Sequence, residues 1–252
     1  GAVAAALAVE VPVVGDLAGA AARAVRPGPR NEVRVERDGG LSVHVEHRPT
    51  ARSRLMAGHE LGHAVHVLVA RDAGAPEAPG ALVAETVACW SALACGLRWL
   101  GDAPAAAWAL ALGDHLVEEL FVSALVSRFE DEIQATVRAG GHWDHQVAAA
   151  VWLGLVHELV GDTVDVPVSA QWGWARLTSL ATEPGAAFHY VWATLLALSV
   201  DDSAAVAELM RRGAIDADEV PTVLGVGEGW IDDGIGALEQ TLDGLIRAIG
   251  AG

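Results

Sequence analysis

The sequence predicts a mainly α-helical domain carrying a small β-hairpin, and three observations predict it. Hydrophobic residues make up 52% of the 252 positions, and the long apolar stretches are rich in Ala and Leu, which favour helix over sheet. Only 10 prolines and 28 glycines interrupt them. A single short region, NEVRVERDGGLSVHVEHR, replaces the helical spacing with alternation of apolar and polar residues, the pattern of half-buried strands.

Taken in order, residues 1–30 read as an N-terminal extension and residues 31–252 as one domain. Residues 1–25 are Ala/Val-rich and read as helix, broken at Pro12 and Gly15. The segment RPGPRN (26–31) has the composition of a turn or linker. Val33 and Val35, then Leu41, Val43 and Val45, alternate with polar residues around Asp38-Gly39-Gly40, which predicts two strands joined by a tight turn. This pair should pack beside the following helix. Thr50 is a candidate N-cap for that helix, which runs to about Ala73. GAPEAPG (74–80) is a loop, and a second long helix runs from near Ala81 to Gly101. Further helical segments cover roughly 104–139, 143–160, 184–200, 202–212, 216–224 and 228–249.

Composition excludes several functions. With 33 acidic and 16 basic residues the formal charge is −17, so no basic face is expected for nucleic acid or for an anionic membrane surface. The N-terminal apolar run lacks a basic n-region and is interrupted by Glu10 and Asp16, unlike a signal sequence. The later run from Ala186 to Val200 contains His189 and falls short of the roughly 20 residues a membrane span needs. The expectation is a cytoplasmic protein with no membrane partner. Cys89 and Cys95, six apart on a helix, face different ways, so reduced buried thiols are expected rather than a disulfide.

The chemistry concentrates in His59-Glu60-Leu61-Gly62-His63, an HExxH motif. Residues four apart share a helix face, so both imidazoles can reach one zinc ion, while Glu60 projects beside that ion as a base for an attacking water. The surrounding residues, Leu55, Met56, Ala57, Leu61, Ala64, Val65, Val67 and Leu68, are apolar. Buried polar groups there need a partner, and a metal provides one. A catalytic zinc takes a third protein ligand. The continuation HAVHVLVARD excludes a histidine at HExxHxxGxxH spacing. Glu85 is the alternative. It is the only charged residue between Glu77 and Arg98, in an otherwise apolar helix. Its competing explanation is a first-turn Glu favoured by the helix dipole. This gives a gluzincin-type site with one zinc per chain.

These residues resemble the catalytic half of the thimet oligopeptidase and oligoendopeptidase F family of zinc peptidases. GLSVHVEHRPTARSRLMAGHELGHAVH is similar to that family's strand, turn and HELGHxxH helix, and ALVAETVACW to its third-ligand motif, whose Glu falls on Glu85. WARLTSL, FHYVWATLLAL and the tail from Leu209 to Ile246 are similar to later elements, in the same order. The resemblance covers about residues 31–252. It implies hydrolysis of peptide bonds in short peptides, and a donor for the developing oxyanion at Tyr190, the one tyrosine here, with His189 beside it as a stand-in. Neighbours on a regular helix diverge by about 100°, so the choice between Tyr190 and His189 stays open. The family's histidine after the Trp-x-Arg-Ile element falls on Thr178 or Ser179, its second acidic residue on Ala92, and its tyrosine-rich element reads Phe188, Tyr190, Trp192. The family's long helical N-terminal lobe has no counterpart in residues 1–30, so the expectation is either an open cleft or a wall supplied by a partner chain, an oligomer or a removed segment.

The other histidines carry weaker expectations. His66 could orient a neighbouring group. His142 and His145 could cluster with Asp144, which could equally cap a helix. His115 and His157 read as solvated or core residues. Two rival functions remain beside general peptide hydrolysis: a specialised peptide-processing enzyme of a biosynthetic pathway, and a non-catalytic zinc-containing binding protein.

Overall fold

The computed structural model describes residues 21, 24–27, 31–36, 40–46, 48–75, 79–100 and 105–250. The architecture is mainly α with a small sheet, as the sequence predicts. The N-terminal helix read over residues 1–25 and the turn at Asp38-Gly39 lie outside the described residues for the most part.

The sheet holds three strands, β1 (Val25–Pro27), β2 (Glu32–Val35) and β3 (Leu41–Val45), in the order β1-β3-β2. The predicted hairpin is β2 against β3, antiparallel, with Val33 opposite Val43 and Val35 opposite Leu41. The third strand is a correction. Residues 25–27, partly assigned to a linker, instead pair in parallel with 43–45. Proline hides this strand in the sequence, but β1 is an edge strand, where Pro27 is tolerated.

The strand β3 leads directly into α1 (Ala51–Asp72), and side chains fix the join. Thr50 caps the helix by accepting the Ser53 N–H at 3.2 Å. The Ser53 hydroxyl donates to the Glu46 carbonyl at 2.7 Å and accepts the Arg48 N–H at 3.0 Å, and Asn31 accepts the Glu46 N–H at 2.8 Å. Val43 and Val45 are buried, and β2 and β3 pack on α1.

The chain forms two compact units, one of residues up to Leu116 together with Trp192 onward, the other of Val117–Val191. In the first, α1 packs most extensively on α2 (Ala81–Trp99), with α3 (Ala105–Leu116) against both. The helix α2 is long and apolar enough to cross a membrane, unlike the shorter apolar helix at Ala186–Ser199 that the sequence brings forward. It is mostly buried inside this unit, as a core helix is. Its two cysteines are buried and form no disulfide with each other, as expected.

The second unit opens with a π-helical stretch, Val117–Val122, inside what the sequence predicts as one continuous helix over 104–139. It continues through α4 (Ser123–Arg138) and α5 (His145–Val160), then a 3₁₀ turn at Gly161–Thr163 and a nine-residue 3₁₀ segment, Val168–Arg176, that the sequence does not predict. A four-residue helix α6 (Ser179–Thr182) follows, and α7 (Ala186–Ser199) carries the chain across the boundary between the units. Back in the first unit come α8 (Ser203–Arg212), the single turn α9 (Val220–Val223), shorter than the predicted 216–224, and α10 (Trp230–Gly250), which packs on α3.

Candidate metal centre

The HExxH residues sit in the middle of α1, where His59 and Glu60 are buried at 5% and 7% exposure. The imidazoles of His59 and His63 lie edge to face with centroids 4.9 Å apart. Glu85 arrives from the first part of α2. Its Oε2 lies 3.4 Å from His59 Nε2 and 3.7 Å from His63 Nε2. One ligand atom from each of the three residues falls within 4.8 Å of the others, close enough for all three to bind one ion.

A glycine in the motif makes this convergence sterically feasible. A Cβ on Gly62 would stand 2.7 Å from Ser91 Oγ, 2.8 Å from Ser91 Cβ and 2.9 Å from Ala88 Cα. Any side chain at 62 would therefore push α2 outward. Glycine at 62 against Ala88 lets the two backbones approach, and α2 then carries Glu85 to the imidazoles. Polar groups along α2 are satisfied locally, since Thr86 donates to the Leu82 carbonyl at 2.7 Å and Ser91 to that of Val87 at 2.8 Å.

Burial sets the protonation states. Desolvation lowers His59 and His63 to about 4, the Glu85 carboxylate offsetting part of the effect at His63. Both imidazoles are neutral near pH 7 and present lone pairs. Glu60 is pushed up to about 8, first by desolvation and then by the negative charge of Glu85 and Glu32. Two neutral histidines and a carboxylate from a neighbouring helix are the donor set of a catalytic zinc, and the fit includes a buried carboxylate beside the donors.

The remaining candidates separate clearly. His66 is fully buried on α1 and also lowered to about 4 by desolvation. Asp144 is a helix cap, accepting the N–H groups of Gln146 at 2.8 Å and Val147 at 2.9 Å, with exposed His142 3.4 Å away. His145 stacks on Trp172, and His157 is exposed. Tyr190 and His189 are consecutive half-buried residues of α7 on the second-unit side of the boundary, while the metal cluster belongs to the first unit. The segment is regular helix, so the two side chains diverge. Thr178 and Ser179 begin α6.

One neighbour of the cluster has a place that its sequence does not reveal. His115, at the end of α3, is buried with its ring centroid 6.1 Å from that of His59. Its only sequence signal is a lone histidine in the apolar stretch AAAWALALGDHL, which reads equally well as core.

No family model matches the sequence, and no curated protein does. Solved structures do. A protein named "putative peptidase" from Chlamydophila abortus superposes with a TM-score of 0.77 at 15% identity, over 98% of this chain and 47% of that one. Oligoendopeptidase-F from Enterococcus faecium superposes with a TM-score of 0.58 at 17% identity, over 80% of this chain and 41% of that one. The chain thus spans less than half the length of each structure it matches, and in fold it resembles oligoendopeptidase F.

Proposed function

We propose that this chain is a zinc-dependent peptidase that hydrolyses peptide bonds in short peptides. The observation that carries the reading is the meeting of His59, His63 and Glu85 within 4.8 Å, with the buried Glu60 adjacent on α1. The fold shared with two structures of peptidase name supports it.

His59, His63 and Glu85 would hold the zinc. Bound there, the ion would act as a Lewis acid toward a scissile carbonyl and make a water nucleophilic near neutral pH. Glu60 accepts the proton of the attacking water and then delivers it to the departing amine. Burial suits Glu60 to both halves of that cycle, because a carboxyl raised toward 8 gives and takes a proton near neutral pH. For the oxyanion that forms as the carbonyl becomes tetrahedral, the family resemblance alone offers Tyr190 or His189 as donor. The working site is cytoplasmic and the partner is a peptide.

The test is Glu60→Gln, measured for zinc content and peptide cleavage together with wild type. The amide keeps the size and hydrogen-bonding reach of the carboxylate but cannot take the proton. Zinc should be retained and turnover should fall by about 10²–10⁴. Equal cleavage by both proteins would remove Glu60 from the mechanism. Zinc in both proteins with no cleavage of a broad peptide library by either would favour a non-catalytic binding protein.

A further inference from the structure

With Glu85 Oε2 on the metal, His59 Nδ1 is the buried ligand-residue atom that the proposed zinc site leaves unexplained. His59 turns its Nε2 toward Glu85 Oε2, so Nε2 is the nitrogen that meets the metal. A neutral imidazole that ligates through Nε2 carries its proton on Nδ1. That proton must be donated, and ligating histidines almost always give it to a carboxylate, a carbonyl or a water that fixes the ring. Here Nδ1 of His59 is shut away from solvent with no hydrogen-bond partner among the described residues.

The polar ring beside it is His115, which comes from a different helix. It is 2% exposed, its centroid is 6.1 Å from that of His59, and the two planes meet at 82°. His115 follows a run of Ala, Leu and Trp on α3, and α3 packs directly on α1. The separation suits one bridging water, which such a pair of buried polar groups can hold. A neutral imidazole has one acceptor nitrogen, so His115 can receive the proton that His59 must give.

We propose that His115 is the positioning residue of the zinc site, accepting the Nδ1–H of His59 through one buried water and thereby aiming Nε2 at the metal. This rests on the zinc reading above. His115 touches neither substrate nor metal, and it acts by holding the ring of a ligand at one angle. Three helices then build the centre: α1 supplies two ligands, α2 supplies Glu85, and α3 sets the orientation of His59.

The experiment measures zinc affinity by chelator competition for wild type, His115→Phe and His115→Gln, alongside the melting temperature of each metal-free protein. Phenylalanine fills the same space without an acceptor, whereas glutamine restores one. The expected result is a 10- to 100-fold weaker zinc affinity in His115→Phe, a metal-free melting temperature close to that of wild type, and recovery of most of the loss in His115→Gln. A folded His115→Phe that binds zinc as tightly as wild type overturns the proposal, and so does a His115→Gln as weak as the phenylalanine variant. Should the phenylalanine variant fail to fold, imidazole ¹H–¹⁵N spectra of zinc-loaded wild type decide. A His59 Nδ1–H protected from exchange and close to the His115 ring supports the proposal, and a freely exchanging one overturns it. Wild type that binds no zinc would overturn the metal reading itself, and this inference with it. Tight zinc binding indifferent to His115 overturns this inference alone.

Discussion

The two units bury different kinds of side chain. Among the described residues, the buried polar groups of the first unit are His59, Glu60, His66, Thr86, Ser91, His115 and Thr194, whereas the second unit has Glu130. The second unit is instead organised around Phe129, which touches Trp143 at 5.8 Å, Trp152 at 5.3 Å and Trp174 at 6.2 Å between ring centroids. Its Glu130 is satisfied, accepting the Gly185 N–H with both oxygens at 3.2 Å. A core of aromatic rings needs no ligand to be stable. A core of imidazoles and a carboxylate costs desolvation energy unless something answers its lone pairs. On the proposed reading the metal ligands belong to the first unit, and the Phe129 core of the second serves as scaffold.

If that division is right, the largest stability effect should come from the second unit and leave the metal untouched. Phe129 is fully buried at the centre of its cluster. Phe129→Ala should cost about 3–5 kcal/mol, the usual penalty for emptying such a site. Zinc affinity measured well below the melting transition should not change. A variant that loses zinc affinity while its second unit stays folded would break the comparison, because the aromatic core would then be part of the metal centre.

A smaller effect is expected from Gly62, and it should fall on both stability and metal. The added methyl of Gly62→Ala meets Ser91 and the Ala88 backbone at 2.7–2.9 Å, so α1 and α2 must separate. Overpacking of this kind costs about 1–3 kcal/mol. Since Glu85 rides on α2, the separation also draws its carboxylate from the two histidines, and zinc binding weakens in step. Calorimetry and chelator titration on one preparation would check the coupling. Loss of stability with unchanged zinc affinity would mean that the approach of the two helices does not set the site.

Much of this was legible in the sequence for a physical reason. His59, Glu60 and His63 announce themselves because four-residue spacing on a helix leaves little else for such a trio to do. Glu85 was legible by contrast, a lone charge in an apolar helix. Three features were not. The strand at 25–27 contains Pro27, whose local signal is a turn, and only its pairing with Val43–Val45 reveals it. The π-helical stretch at 117–122 has the apolar spacing of the helices on either side, and the change in hydrogen-bond register leaves no mark in composition. His115 lies 56 positions from His59, and nothing local distinguishes a histidine packed beside His59 from one that merely fills a core. Features that rest on short-range periodicity can be read from the chain, and those made by contacts distant in sequence cannot.

The smallest expected effect lies at the entrance to α5, and its pH dependence tests whether the second unit stands on conventional helix chemistry. Asp144 caps α5, and its carboxyl is held below the usual range by the backbone N–H groups of Val147 and Gln146, with a lesser contribution from His142. The folded pKa is thus depressed relative to the unfolded value of about 3.9. Stabilisation from the charged cap is fully present above that unfolded value and is lost as pH falls through the folded pKa. Asp144→Ala should lower the melting temperature of the second unit by a constant amount between about pH 6 and 8, and the gap to wild type should shrink below about pH 4. Asp144→Asn, which caps about as well without the charge, should fall between the two and show little pH dependence. A gap between wild type and Asp144→Ala that persists undiminished at pH 3 would show that the carboxylate charge contributes nothing. The cap would then act by hydrogen-bond geometry alone. Zinc affinity should be the same in all three proteins at pH 7, since the Asp144 cap belongs to the second unit and the ligands to the first.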